Sequence, residues 1–188
     1  MKSALILIDI QNDYFPGGAM ELAGMTQAAA GAQEVLAAFR PARRPIFHVQ
    51  HLALGPGATF FRPATAGAEI HDSVRPLPGE ALVRKHYPNA FRDTGLLEVL
   101  QGAGVEEVII AGAMSHMCID ASTRAAFDYG FKCTVIHDAC ASRDVVFEGR
   151  TIPAGQVHGA FMAALGMRYA KVMAVKEFLA ASPGGIDV

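Results

Sequence analysis

The chain predicts an α/β sandwich on a mostly parallel sheet, and three observations carry that reading. Apolar runs of strand length recur from one end to the other. Between them lie stretches with apolar residues at helical spacing, so strands and helices alternate. The first run, Ala4 to Ile8 (ALILI), is apolar at every position, as in a strand buried on both faces rather than one dividing core from water.

That first strand ends at Asp9, and QNDYFPGG after it is loop because Pro16, Gly17 and Gly18 interrupt regular structure. Thr26 is placed to cap a helix to about Phe39, with Ala29, Ala32, Val35, Leu36 and Phe39 on its inner face. Pro45 to Gln50 is strand two. His51 to Gly79 follows as a long irregular segment, of a length that in compact domains lines a site or meets a partner. Ala81 to Arg84 is strand three, leading into Lys85, and KHYPNAF beyond it is loop. Asp93 or Thr94 caps a helix through Leu100 that Gly102 and Gly104 end. Strand four is Val108 to Ala113. The helix after it carries Ile119, Ala121, Ala125, Ala126 and Tyr129 at helical spacing and stops at Gly130. Lys132 to Ile136, Ala154 to Leu165 and Ala170 to Val175 continue as strand, helix and strand, and the tail SPGGIDV reads as frayed.

A chain of 188 residues with 52% hydrophobic content suffices for one domain, residues 1–188, with a large core. The formal charge of -2 and sixteen scattered Lys and Arg offer no basic patch to nucleic acid or an anionic membrane, so a small-molecule substrate is expected. Asp9 cuts the opening apolar run well below the roughly 7 to 15 residues of a signal peptide. No stretch approaches the ~18 apolar residues of a membrane span, so a cytoplasmic location is expected. A mean hydropathy of +0.26 and the apolar run Phe161 to Met167 point to a homo-oligomer, a dimer or tetramer.

Ligands of open α/β sheets bind outside the carboxyl ends of the strands, near the point where strand order reverses. Asp9 follows strand one there, Lys85 follows strand three, and Cys118 follows strand four by a short turn. An order of 3-2-1-4-5-6 makes strands one and four neighbours, with Lys85 reaching in from the edge. Cys118 at a helix N-terminus meets unpaired N–H groups and the positive end of the helix dipole, which favour thiolate over thiol. Asp9, poorly solvated at the mouth of an apolar strand, is placed to act as base, and Lys85 to hold the carboxylate and stabilise developing negative charge. Cys133 and Cys140 cannot both pair with Cys118, and no CxxC accompanies them, so all three are expected as thiols. Cys133, at the head of a strand, reads as a small buried apolar residue.

Three separated motifs, LILIDIQNDYF, VRKHYPNAF and AGAMSHMCIDASTRAAFDYGF with IHDACAS beyond it, resemble the isochorismatase-like cysteine hydrolases. That superfamily includes nicotinamidases, N-carbamoylsarcosine amidohydrolases, ureidoacrylate hydrolases and isochorismatases. The resemblance runs from Leu5 to about Val175. It implies a Rossmann-like three-layer sandwich with the strand order above, and a catalytic triad of Asp9, Lys85 and Cys118. It also implies a cis peptide between Ala113 and Met114, and an oxyanion hole from the Met114 and Cys118 amides. In that scheme Cys118 attacks an amide or ureido carbonyl, Asp9 protonates the leaving amine, and water completes the thioester acyl-enzyme.

Nicotinamidases resemble one another in an Asp-x-His metal pattern after strand two. This chain has HVQH at His48 to His51, with Gln50 and no aspartate, so neither metal nor cofactor is expected, although His71 with Asp72 stands nearby in sequence. Isochorismatases cleave a vinyl ether without needing the cysteine, which makes that reaction the alternative. A nonenzymatic ligand binder or thiol sensor is a third reading. Tyr14, Phe15, Phe60, Phe61, Tyr87 and Phe91 could enclose a small flat substrate, His116 could contact it, and loop 51–79 or a neighbouring subunit could complete the pocket.

Overall fold

Strands and helices alternate along residues 2–181, the part of the chain that the computed structural model describes. The strands are β1 (Ser3–Ile8), β2 (Ile46–His51), β3 (Ala81–Lys85), β4 (Glu107–Ala113), β5 (Lys132–Ala141), β6 (Val145–Phe147), β7 (Arg150–Ile152) and β8 (Lys171–Met173). The helices are α1 (Met25–Phe39), α2 (Leu96–Gly102), α3 (Asp120–Asp128), α4 (Ala154–Arg168) and α5 (Val175–Ala181). Six strands form one sheet in the order β3-β2-β1-β4-β5-β8, with every pairing parallel. This is the expected doubly wound order. Its last strand is β8 because an antiparallel hairpin, β6 with β7, precedes it.

The unbroken apolar character of β1 follows from its central place. Leu5 and Leu7 face a core shared with Val35, Leu36 and Phe39 of α1 and Phe178 of α5. Ala4, Ile6 and Ile8 face a second core with Leu96 and Leu100 of α2, Ala126 of α3 and Leu165 of α4. Each fully buried aliphatic side chain contributes roughly 1.5–3 kcal/mol, so the two cores hold the sheet edge rigid where polar groups emerge.

Several boundaries differ from the sequence expectation. Helix α1 begins at buried Met25 behind Gly24, which takes the left-handed cap position with φ 73°, so Thr26 lies inside the first turn and does not cap. Helix α2 has Gly95 as its cap residue, and Asp93 is in the left-handed region with φ 54°. Thr94 does reach the helix: its hydroxyl accepts from the Leu96 N–H at 3.4 Å. The inner face of α3 is built from Ser122, Thr123 and Ala126, whereas Tyr129 is 49% exposed. Ser122 can be buried because its hydroxyl accepts the Ala90 N–H at 3.0 Å. Strand β5 runs beyond Ile136 because Cys140 and Ala141 rejoin β4 after an irregularity opposite Ile110 and Gly112. The chain from Val175 is helix, not strand. The segment SPGGIDV lies outside the described residues. Among those described, no helix is long and apolar enough to cross a membrane.

Gly112 sets the spacing of the two central strands. It has φ 130°, and a Cβ there would collide with the Ile8 carbonyl oxygen. Neither the backbone angle nor the clash can be relieved without separating β1 from β4 next to Asp9. Gly112→Ala is therefore expected to lower stability by ~3 kcal/mol or more, read as a shift in the urea unfolding midpoint. A midpoint within experimental error of wild type would show that the two strands tolerate separation.

Candidate active site

Three strand ends deliver the reactive groups. Asp9 follows β1 with φ 54°, a left-handed turn braced by its own N–H donating to Val49 O at 3.0 Å. His51 and Lys85 are register partners at the ends of β2 and β3. Because β3 is two strands from β1, a span of roughly 10 Å at ordinary strand spacing, only a long side chain can bridge it. Lys85 does so. Its ammonium donates to Asp9 Oδ2 at 2.7 Å and to Cys118 Sγ at 3.2 Å. It also lies 3.0 Å from His51 Nδ1 and 3.2 Å from Tyr87 O. Asp9 and Lys85 are fully buried and Cys118 is 4% exposed. Asp9 Oδ1 is buried without a hydrogen-bond partner among the described residues.

Cys118 belongs to a single π-helical turn, Ser115–Ile119, between β4 and α3, and the Ala113–Met114 peptide bond before that turn is cis. Side chains tie the turn to neighbouring elements. Ser115 Oγ donates to Ala141 O at 3.0 Å and pairs with His158 Nδ1 at 2.8 Å. His116 Nδ1 pairs with Ser142 Oγ at 2.9 Å. The nucleophile candidate is therefore carried on a turn fastened to β5 and α4.

Burial governs the protonation states. It pushes the Cys118 thiol up, the Asp9 carboxylate adds to the rise, and Lys85 offsets only part of it. The helix start led to the expectation of a thiolate; burial and the Asp9 charge act in the opposite direction here. Burial opposes the Lys85 charge too, but Asp9 and Cys118 outweigh it and raise its pKa. His51 falls to about 4, through burial first and the Lys85 charge second, so it is neutral and accepts at Nδ1. Cys133 and Cys140 are pushed up to about 12 by burial and are inert thiols.

Asp9, His51 and Cys118 offer ligand atoms within 4.8 Å of one another, the kind of group that can hold a metal ion. The Lys85 ammonium stands among them and is bonded to each. A divalent ion could enter only by displacing that buried cation, so the donor set does not fit a resident metal. His48 is engaged elsewhere, 2.8 Å from Glu80 Oε2, and His71 stacks on Phe15 at 3.6 Å between ring centres.

The aromatic residues divide. Tyr14 is buried against Phe60 and Phe61, and burial first, then the Asp9 charge, holds its phenol pKa above the ordinary value. Tyr87 contributes its carbonyl to Lys85, while its ring carries the Arg92 guanidinium at 3.6 Å. Phe91 is buried in the core with Phe131 and meets the exposed Tyr129 ring, and the His116 ring meets Phe161 edge-on. A cavity of about 500 Å³ opens beside β3, lined by Asn12, Gln50, Glu69, Arg75 and Arg84 among others. None of the three reactive groups lines it, so the chemistry locates the site and the cavity does not.

Two further residues shape the site without standing out in the sequence. Gln11 is fully buried; its Oε1 accepts the His51 N–H at 2.8 Å and its Nε2 donates to His51 O at 2.9 Å and Ala68 O at 2.7 Å. Asp13 accepts from the Phe61 N–H at 2.6 Å and packs so closely on Gly67 that a Cβ there would collide with the Asp13 carboxylate. Their one local signal is the alternation Asp9, Gln11, Asp13 just where the apolar run ends.

The isochorismatase domain family model matches residues 3–173. The isochorismatase family protein YddQ of Bacillus subtilis is 50% identical over 179 residues, covering 95% of this chain and 99% of that protein. The maleamate amidohydrolase of Pseudomonas putida is 29% identical over 156 residues, covering 76% of this chain and 73% of that protein. The crystal structure of a protein from Oleispira antarctica superposes with a TM-score of 0.92 at 49% identity, covering 95% of this chain and 96% of that one.

Removing one member of a buried ion pair strands the other. Lys85→Met is expected to cost ~3–5 kcal/mol in urea unfolding at pH 7, and adding Asp9→Asn to recover most of it. A double variant no more stable than Lys85→Met would show that the pair is not energetically coupled.

Proposed function

The chain belongs to the isochorismatase family of hydrolases, and on that premise we propose that it is a cysteine hydrolase cleaving the C–N bond of a small amide or ureide. The observation that carries this reading is one buried ammonium bonded at once to a carboxylate and a thiol. A thiol held protonated by burial becomes a nucleophile only if its proton leaves as it attacks. An Asp9 carboxylate oxygen lies within 4.8 Å of the sulfur, and we assign it the proton.

In the proposed reaction the Cys118 sulfur forms a bond to the substrate carbonyl carbon while its proton passes to Asp9. The carbonyl electrons move onto oxygen, which the Met114 and Cys118 amides receive as an oxyanion hole. Collapse of the tetrahedral adduct breaks the C–N bond, and Asp9 returns the proton to the departing amine. A water molecule, deprotonated by Asp9, then attacks the thioester, releases the acid and restores the thiol. Lys85 keeps its charge throughout and stabilises the negative charge that alternates between Asp9 and sulfur. The amide reading is supported by the amidohydrolase among the relatives and by the cysteine itself, which vinyl ether hydrolysis would leave unused. Tyr14 and His116 are the residues we assign to the substrate's surroundings.

The test is ammonia release from a panel of small primary amides and ureides. Cys118→Ala and Asp9→Asn are each expected to lower turnover by ~10³-fold or more. Wild-type turnover in Cys118→Ala would remove the proposed nucleophile. Hydrolysis of a vinyl ether that survives loss of Cys118 but not of Asp9 would establish the alternative reaction.

A further inference from the structure

The Lys85 ammonium has more partners than protons. Asp9 Oδ2, His51 Nδ1, Tyr87 O and Cys118 Sγ lie at 2.7, 3.0, 3.2 and 3.2 Å, whereas an ammonium offers three N–H donors. One acceptor is therefore always undersupplied. A neutral thiol is the weakest of the four, and a thiolate would be among the strongest. The division of these three donors thus bears on whether Cys118 stays a thiol.

His51 is the one side chain among the four that no part of the proposed reaction requires. It is held with care nonetheless: Gln11 grips both its backbone N–H and its backbone C=O from the end of β1. Gln11 and Asp9 are two residues apart, so one short stretch fixes two of the acceptors around Lys85. As a neutral ring accepting at Nδ1, His51 carries its hydrogen on Nε2. Its side chain is 17% exposed, against 0% for Asp9. The charged and titratable groups that act on it are Lys85, Asp9 and His86.

We propose that His51, clamped by Gln11, is a positioning residue for Lys85. It takes one of the three ammonium donors and so limits the share that reaches Cys118. The sulfur remains a thiol in the free enzyme, and its proton is kept for transfer to Asp9 and the leaving amine. When negative charge develops on sulfur, the donor shared with Tyr87 O is the one free to turn toward it. The consequence runs against the usual effect of deleting a site residue: loss of the His51 acceptor makes the thiol easier to ionise.

The inference rests on Cys118 being the nucleophile, but its test needs no substrate. Alkylation of Cys118 by iodoacetamide, followed by peptide mass mapping across pH, reads thiol ionisation directly. His51→Leu, which keeps bulk but removes the acceptor, is expected to move the midpoint down by about one pH unit or more. His51→Asn, whose Oδ1 can replace Nδ1, is expected to stay within about 0.3 unit of wild type. Gln11→Met, which loosens the clamp and leaves the imidazole, is expected to shift the midpoint the same way as His51→Leu. An unmoved or raised midpoint in folded His51→Leu overturns the proposal; if that variant does not fold, an unmoved midpoint in Gln11→Met does so alone. A wild-type protein that turns over no amide but shows the shifts would count against the proposed function, whereas an active protein without them would count against His51.

Discussion

A lysine buried between a carboxylate and a thiol is the constraint on which the site depends. An ion pair taken out of water contributes little net stability, and either partner alone would be costly. Asp9 and Lys85 therefore require each other, and the fold has to bring them together. The strand order β3-β2-β1 meets that need by placing their ends on either side of β2, at a spacing that a lysine side chain can cross. Rigidity follows from the two cores that clamp β1 and from Gly112, whose missing side chain lets β4 approach and bring the Cys118 turn beside Asp9.

The same burial that makes the pair obligatory sets the state of the sulfur. In water a nearby lysine would draw a cysteine toward thiolate. Here desolvation and the Asp9 charge dominate, and the thiol keeps its proton. A nucleophile protonated at rest links attack on the carbonyl to proton transfer, which suits an amide because the departing nitrogen must be protonated. In the proposed reaction the ammonium acts less as an activator than as a fixed charge against which the proton moves.

Much of this is legible in the sequence. The central strands are, because a short run apolar at every position, closed by turn residues, fits a strand buried on both faces. Asp9, Lys85 and Cys118 stand out by falling just beyond strand ends. What stays hidden depends on contacts between residues distant in the chain. Gln11 holding His51 spans 40 positions and leaves no periodicity to detect. The ionisation of Cys118 runs opposite to the local pattern because a helix start can be seen in sequence and desolvation cannot. Thr26 loses the α1 cap to Gly24 because the core position of Met25 sets where the helix begins. Strands β6 and β7, three residues each, are too short to show an alternation.

The central claim is that catalysis passes through a covalent bond to Cys118. Its most direct measurement is acid quenching of the protein during turnover of a small primary amide, followed by intact-mass analysis and peptide mapping. The account predicts an acyl adduct on Cys118 that hydroxylamine removes and that Cys118→Ala never forms. Steady turnover with Cys118 unmodified at every quench time, and undiminished in Cys118→Ala, would contradict it.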